Sequence, residues 1–123
     1  MRNILPAAVV AAVLSGFGAG CAFAHAQLVQ ADPRVGSTVR EAPAIISLRF
    51  NEAPRLPGSA VMLIGPDGRK TLLEPLARAP GDPMTLLAPT PRDLRPGTYR
   101  VRWGALSSGA HRTQGDFAFT VHP

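Results

Sequence analysis

The chain has 123 residues, of which 46% are hydrophobic and 17% are charged. This is enough for one small domain with a hydrophobic core, and it excludes a wholly disordered chain. The formal net charge is +5, but the basic residues are scattered and are not interleaved with aromatic residues, so we expect no nucleic-acid binding.

The first 24 residues have the pattern of an export signal. Arg2 gives a positive start, residues 4–20 carry no charge, and Ala22–Ala24 has the small-x-small pattern of a signal-peptidase site. We therefore expect residues 1–24 to be a signal peptide and residues 25–123 to be a mature periplasmic domain. The apolar run is short for a membrane span, so we expect no stable membrane insertion after cleavage.

Cys21 leaves a second processing route open. Lipid modification at Cys21 would produce a lipoprotein and would place the α-amine of His25 in a peptide bond. The residues before Cys21 are small, whereas a lipoprotein signal normally has a larger aliphatic residue three positions earlier, so cleavage after Ala24 is favoured. The mature domain then has no cysteine, which excludes disulfides and a blue-copper electron-transfer site.

Alternation of apolar and polar residues predicts strands throughout the mature domain, and no helical stripe follows His25. In chain order the predicted strands are 27–31, 46–51, 60–64, 70–73, 84–87, 99–104 and 116–121. Turns rich in proline, glycine and aspartate separate them. Strands at this spacing without helices predict two antiparallel sheets packed face to face.

The inward positions of these strands predict the core. Its expected members are Leu28, Ile46, Leu48, Phe50, Val61, Leu63, Leu86, Tyr99, Val101, Trp103, Phe117, Phe119 and Val121. Met62 and Met84 also lie in strand patterns and are expected in the core, not in a thioether site for Cu(I). Arg100 and Arg102 are expected on a solvent-exposed strand face.

His25 is the first candidate metal ligand, because a free N-terminal histidine offers its α-amine and its imidazole Nδ1 to one ion. Such neutral nitrogen ligands suit Cu(II), the most tightly bound divalent ion of the first transition series. The pattern alone leaves open that His25 is an ordinary solvated residue.

Two further candidates follow predicted strands in the chain. His111 is in the polar loop 107–112, between two predicted strands, and Glu52 directly follows the predicted strand 46–51, where it offers a carboxylate oxygen. Both residues also fit an exposed surface position, and His122 is expected in a solvated tail. Ser107 near His111 has no nucleophile-elbow sequence, so no enzyme activity is expected.

The sequence of the mature domain resembles the CopC family of periplasmic copper-binding, copper-resistance proteins. The resemblance begins at the expected mature N-terminus and is most specific in the last third of the chain. It is carried by His25–Ala26, Asp32–Pro33, Leu48–Glu52, Leu94–Trp103, Ser107–Ser108, His111, Gly115 and Phe117–Val121.

The resemblance implies an all-β Greek-key sandwich, of immunoglobulin-like or cupredoxin-like type, that serves copper homeostasis and resistance. Family members bind Cu(II) through the N-terminal histidine, a loop histidine and an aspartate two residues before it, with a glutamate close by in some members. His25, His111 and Glu52 match these positions. The family also implies an inner-membrane copper transport protein as a partner.

The sequence departs from the family pattern at the loop histidine. Gly109 occupies the position of the aspartate, and Arg112 occupies that of the usual proline. Losing an anion and gaining a cation are both expected to weaken binding of a dication. Residues 65–70 contain no methionine, so a Cu(I) site of the kind found in some members is not expected.

Three functions follow from these observations. The favoured one is a Cu(II) carrier that uses His25 and His111, with Glu52 or water in the place left by Gly109. The second is a sandwich whose metal site has decayed and which serves as an interaction or structural module. The third, an oxidative enzyme like the copper monooxygenases, is disfavoured by the short chain and its 6% aromatic content.

Overall fold

The computed structural model of the chain describes residues 26–123, so the predicted signal peptide and His25 lie outside the described residues. Nine strands run through this range. They are β1 (Leu28–Asp32), β2 (Thr38–Val39), β3 (Ile45–Phe50), β4 (Ala60–Ile64), β5 (Lys70–Leu72), β6 (Ala77–Ala79), β7 (Asp82–Pro89), β8 (Gly97–Leu106) and β9 (Arg112–Val121). The seven predicted strands are all present. The strands β2 and β6 were not predicted, because two or three residues are too few to show a period-two pattern.

The strands form two sheets that pack as a β-sandwich, which confirms the predicted fold class. The four-stranded sheet has the order β1-β3-β7-β6, and the five-stranded sheet has the order β2-β9-β8-β4-β5. The pairing is antiparallel except that Thr38 and Val39 run parallel to Thr120 and Val121. No helix in residues 26–123 has the length and apolar character needed to cross a bilayer.

The core between the sheets agrees closely with the prediction. Of the predicted members, only Leu28 is partly buried instead of buried, because it lies at a bulge of the edge strand β1. The prediction for the methionines was wrong. Met62 faces outward on β4, where Val61 and Leu63 take the inward positions, and Met84 is 37% exposed. These two methionines belong to different sheets.

The single tryptophan connects the two sheets near one end of the sandwich. Trp103 on β8 meets Phe50 on β3 edge to face, with 5.2 Å between ring centroids. Its indole also covers Gly115 on β9, where an added Cβ atom would lie 2.7 Å from Trp103 Cζ2. Gly115 is therefore required by the close approach of the indole to the backbone.

Tyr99 is a second buried aromatic residue of β8, nearer the start of the strand than Trp103. Its ring stacks on Phe119, with 5.6 Å between centroids, and its hydroxyl donates a 2.6 Å hydrogen bond to the carbonyl of Arg95. Burial raises the pKa of the Tyr99 phenol above its ordinary value. The hydroxyl thus stays a neutral donor that holds the loop before β8 against the sheet.

Candidate metal site

Four strand ends lie at one end of the sandwich. In the four-stranded sheet, Leu28 at the start of β1 is opposite Phe50 at the end of β3. In the five-stranded sheet, Leu106 at the end of β8 is opposite Arg112 at the start of β9. The Arg55 amide, in the loop after β3, donates a 2.8 Å hydrogen bond to the Leu106 carbonyl. This bond ties the loop after β3 to the end of β8.

The loop histidine is held in a tight turn between β8 and β9. The Ser107 amide donates to the His111 carbonyl (2.9 Å), and the His111 amide donates to Ser107 Oγ (3.2 Å). Ser107 is fully buried, whereas His111 is exposed. Ala110 completes the turn with a φ of 65°, in the left-handed region that non-glycine residues seldom adopt. The turn therefore fixes the His111 backbone and leaves its imidazole at the surface.

Gly109 lies directly beside the imidazole of His111. A Cβ atom at Gly109 would be 3.3 Å from His111 Cδ2 and 3.9 Å from Nε2. A side chain at position 109 would thus lie along the Nε2 edge of the ring. The resemblance places a carboxylate ligand at this position. The glycine therefore leaves the Nε2 side of the His111 ring without that carboxylate.

The start of the described chain is attached to both sheets at this end. Ala26 is fully buried, and its carbonyl accepts a 2.6 Å hydrogen bond from Thr113 Oγ1 on β9. The Gln27 amide donates to Asn51 Oδ1 (2.8 Å), and the Asn51 amide donates to the Gln27 carbonyl (3.0 Å). These three bonds fix the two residues that follow His25.

The predicted ligand Glu52 lies at the same end of the sandwich. It is half-buried and directly follows Asn51, whose backbone and side chain hold Gln27. Within residues 26–123 no group of three or more His, Cys, Asp or Glu side chains forms a metal cage. The described residues therefore bring Glu52 and His111 to one end, and the other predicted donors belong to His25, outside the described range.

Arg112 follows the loop histidine and is bonded to the loop between β3 and β4. Its Nη1 donates a 3.0 Å hydrogen bond to the carbonyl of Gly58, in the loop before β4. Gly58 belongs to the loop between β3 and β4, the loop that also carries Glu52. The cation that the sequence predicts beside the loop histidine therefore stays at the same end of the sandwich as His111 and Glu52.

Three residues that position the site were not singled out as site residues from the sequence. Asn51 and Thr113 hold the backbone of Gln27 and Ala26, and Ser107 closes the turn around His111. The sequence feature that could have identified them is a hydrogen-bonding side chain near a candidate ligand and close to a strand end. The signal marks Asn51 and Ser107 better than Thr113, which reads as an ordinary strand residue.

A groove of about 780 Å³ lies at the opposite end of the sandwich, between the start of β8 and the β4–β5 turn. Its lining includes Tyr99 and Leu63 together with Arg69, Arg92 and Arg95. Its donors are guanidinium groups and two aspartates, without a histidine. The groove is therefore separate from the candidate metal site, by about 30 Å along β8.

Comparison with known proteins gives consistent matches. Residues 28–122 match the sequence model of the CopC domain. Protein YobA of Escherichia coli (strain K12) is 33% identical over 99 residues, which cover 80% of each chain. Copper resistance protein C of Xanthomonas campestris pv. juglandis is 31% identical over 122 residues, covering 94% of each chain. The crystal structure of CopC from Methylosinus trichosporium OB3b superimposes with a TM-score of 0.72 at 29% identity, over 80% of this chain and 95% of that one.

Proposed function

Because the chain belongs to the CopC family, we propose that it binds copper(II) in the periplasm and serves copper homeostasis and resistance. We assign it binding of the ion as cargo, with no catalytic step. Residues 1–24 act as the signal peptide, and residues 25–123 form the mature copper-binding domain. An inner-membrane copper transport protein, the partner implied by the family, exchanges copper with it.

The proposed ligands are the α-amine and imidazole of His25 together with the imidazole of His111. Glu52 or water fills the position that lacks a carboxylate at Gly109. One ion is thus held mainly by neutral nitrogen ligands, the donor type that suits Cu(II).

The observation that carries this proposal is the attachment of Ala26. Its carbonyl is bonded to Thr113, two residues after His111 in the chain, and the next residue is bonded to Asn51, beside Glu52. Consecutive Cα atoms are 3.8 Å apart. His25 therefore directly precedes a segment that is bonded to the strand after His111 and to the residue before Glu52. The proposed chelate therefore needs little further ordering of the chain.

Gly109 favours a second candidate, a sandwich whose metal site has decayed and which acts as an interaction or structural module. Without a carboxylate at position 109, the dication loses an anionic ligand beside His111. This candidate predicts weak copper binding that does not depend on a free amine at His25.

An extension of the N-terminus tests the two candidates. The chain that begins at His25 is titrated with Cu(II) beside a version with one added alanine before His25. The proposal predicts that the extension weakens binding by about tenfold or more, because it removes the free amine and its chelate ring. Quenching of the only tryptophan reports binding, and electron paramagnetic resonance reports the nitrogen ligands.

Substitution of the histidines supplies the matched control. His111→Gln is expected to weaken binding, whereas His122→Gln changes an exposed histidine next to the C-terminus and is expected to leave it unchanged. Equal and weak binding by the extended and the unextended chain would instead favour the decayed module.

A further inference from the structure

The two sheets of the sandwich differ in charge. Within the described range, the strands of the four-stranded sheet carry two charged residues of each sign, which are Asp32, Arg49, Arg78 and Asp82. The strands of the five-stranded sheet carry four cations and one carboxylate, which are Lys70, Arg100, Arg102, Arg112 and Asp116. The net positive charge carried by the strands therefore lies on the five-stranded sheet.

All four cations of the five-stranded sheet are on its outward face. Val101 and Trp103 are buried between the sheets, so the alternate residues Arg100 and Arg102 point to solvent. Arg112 pairs with Leu106, which lies an even number of residues from Arg102 on β8 and so faces outward as Arg102 does. The single carboxylate is partly neutralised, because Asp116 Oδ1 is 3.3 Å from Arg100 Nη1.

Apolar side chains alternate with these cations across the sheet. Ile64 is opposite Lys70 on one side and Arg100 on the other, while Met62 is opposite Leu72 and Arg102. Leu72 is 49% exposed on the outermost strand. We call this surface the cationic face; it consists of Met62, Ile64, Lys70, Leu72, Arg100, Arg102 and Arg112.

We propose that the cationic face binds the surface of an anionic phospholipid bilayer. Leu72 is exposed and Met62 and Ile64 are half-buried, so apolar surface lies beside the arginine and lysine side chains. This combination binds a lipid interface, because the cations attract anionic headgroups while the apolar groups leave water. The face is the outward surface of one sheet, and its cations are spread over three strands, β5, β8 and β9. Its long cationic side chains extend beyond the apolar ones toward the headgroups.

This orientation leaves the candidate metal site accessible. The site lies at the end of β8 and β9, whereas the cationic face is the outward side of β4, β5, β8 and β9. A sandwich lying on a bilayer by this face therefore keeps the ends of its strands open at the side. The proposal does not depend on copper and is testable in its absence.

Vesicle binding tests the proposal. The chain from His25 onward, which contains every described strand, is mixed at low salt with vesicles of phosphatidylglycerol and phosphatidylcholine or of phosphatidylcholine alone. Sedimentation is expected to recover the protein with the anionic vesicles only. The double variant Lys70→Gln/Arg102→Gln is expected to bind about 30-fold more weakly, and Leu72→Ser several-fold more weakly.

A matched variant separates the face from the net charge. Arg49→Gln/Arg78→Gln removes the same charge from the four-stranded sheet and is expected to keep vesicle binding within about twofold. Equal losses in both double variants would show attraction by net charge alone and would overturn the proposal. Failure to bind anionic vesicles, with binding of poly-glutamate instead, would identify an acidic protein as the partner of the face and would also overturn it.

Discussion

Gly109 lies where an added side chain would contact the Nε2 edge of His111, with a Cβ atom 3.3 Å from Cδ2. The substitution Gly109→Asp places a carboxylate beside the proposed copper ligand, and its attraction for the dication is expected to raise Cu(II) affinity by about tenfold or more. Competition against a Cu(II) chelator of known affinity measures the change. Gly109→Asn has almost the same shape without the charge and is the control, so an equal effect of Asn and Asp would contradict the electrostatic explanation.

At the scale of a strand, β9 holds Ala26 through Thr113 near its start and contacts Thr98 of β8 through Thr120 near its end. Thr113→Val keeps the side-chain shape but removes the hydroxyl that donates to the Ala26 carbonyl. We expect a loss of about 1 kcal/mol in the free energy of unfolding and about a fivefold loss in Cu(II) affinity. Thr120→Val is the control on the same strand, because its hydroxyl pairs with Thr98 instead. A drop in affinity of the same size in both variants would mean that β9 acts through general stability.

For the whole molecule, we expect copper binding and folding to be coupled, because the proposed ligands come from distant parts of the chain that only folding brings together. Copper at about 100 times its dissociation constant is expected to raise the free energy of unfolding by about 2.7 kcal/mol at pH 7. Protons compete for imidazole and amine nitrogens, so this contribution grows with pH and disappears toward about pH 5. Thermal denaturation of the chain from His25, with and without copper, at pH 7 and at about pH 5, measures this contribution. Undiminished copper stabilisation at pH 5 would argue against nitrogen ligation.

Much of the fold is predictable because the alternation of apolar and polar residues within each long strand indicates which side chains face the core. Val101 and Trp103 alternate with Arg100 and Arg102, and the structure buries the first pair and exposes the second. Met62 was misassigned because methionine is compatible with either face, and the inward positions are fixed by its neighbours Val61 and Leu63. Short strands such as β2 have no period to detect, since their position depends on a partner distant in the chain.

The candidate site is predictable only in part. His111 lies between two long predicted strands and Glu52 directly follows another, so their place in the loops follows from the sequence. The contacts that hold the site together join residues far apart in the chain, as between Ala26 and Thr113 or Gln27 and Asn51. No local pattern encodes these pairs, and their identification required the packed sheets.

The sequence by itself determined the sandwich, its core and the resemblance to a copper-binding family, because alternation of side chains and turn residues act over a few neighbouring positions. Only the tertiary structure decided that Ala26 is held between the two sheets, that Arg112 bonds to Gly58 and that four cations share one face. These features depend on strand order and register, which are set by the packing of the whole chain.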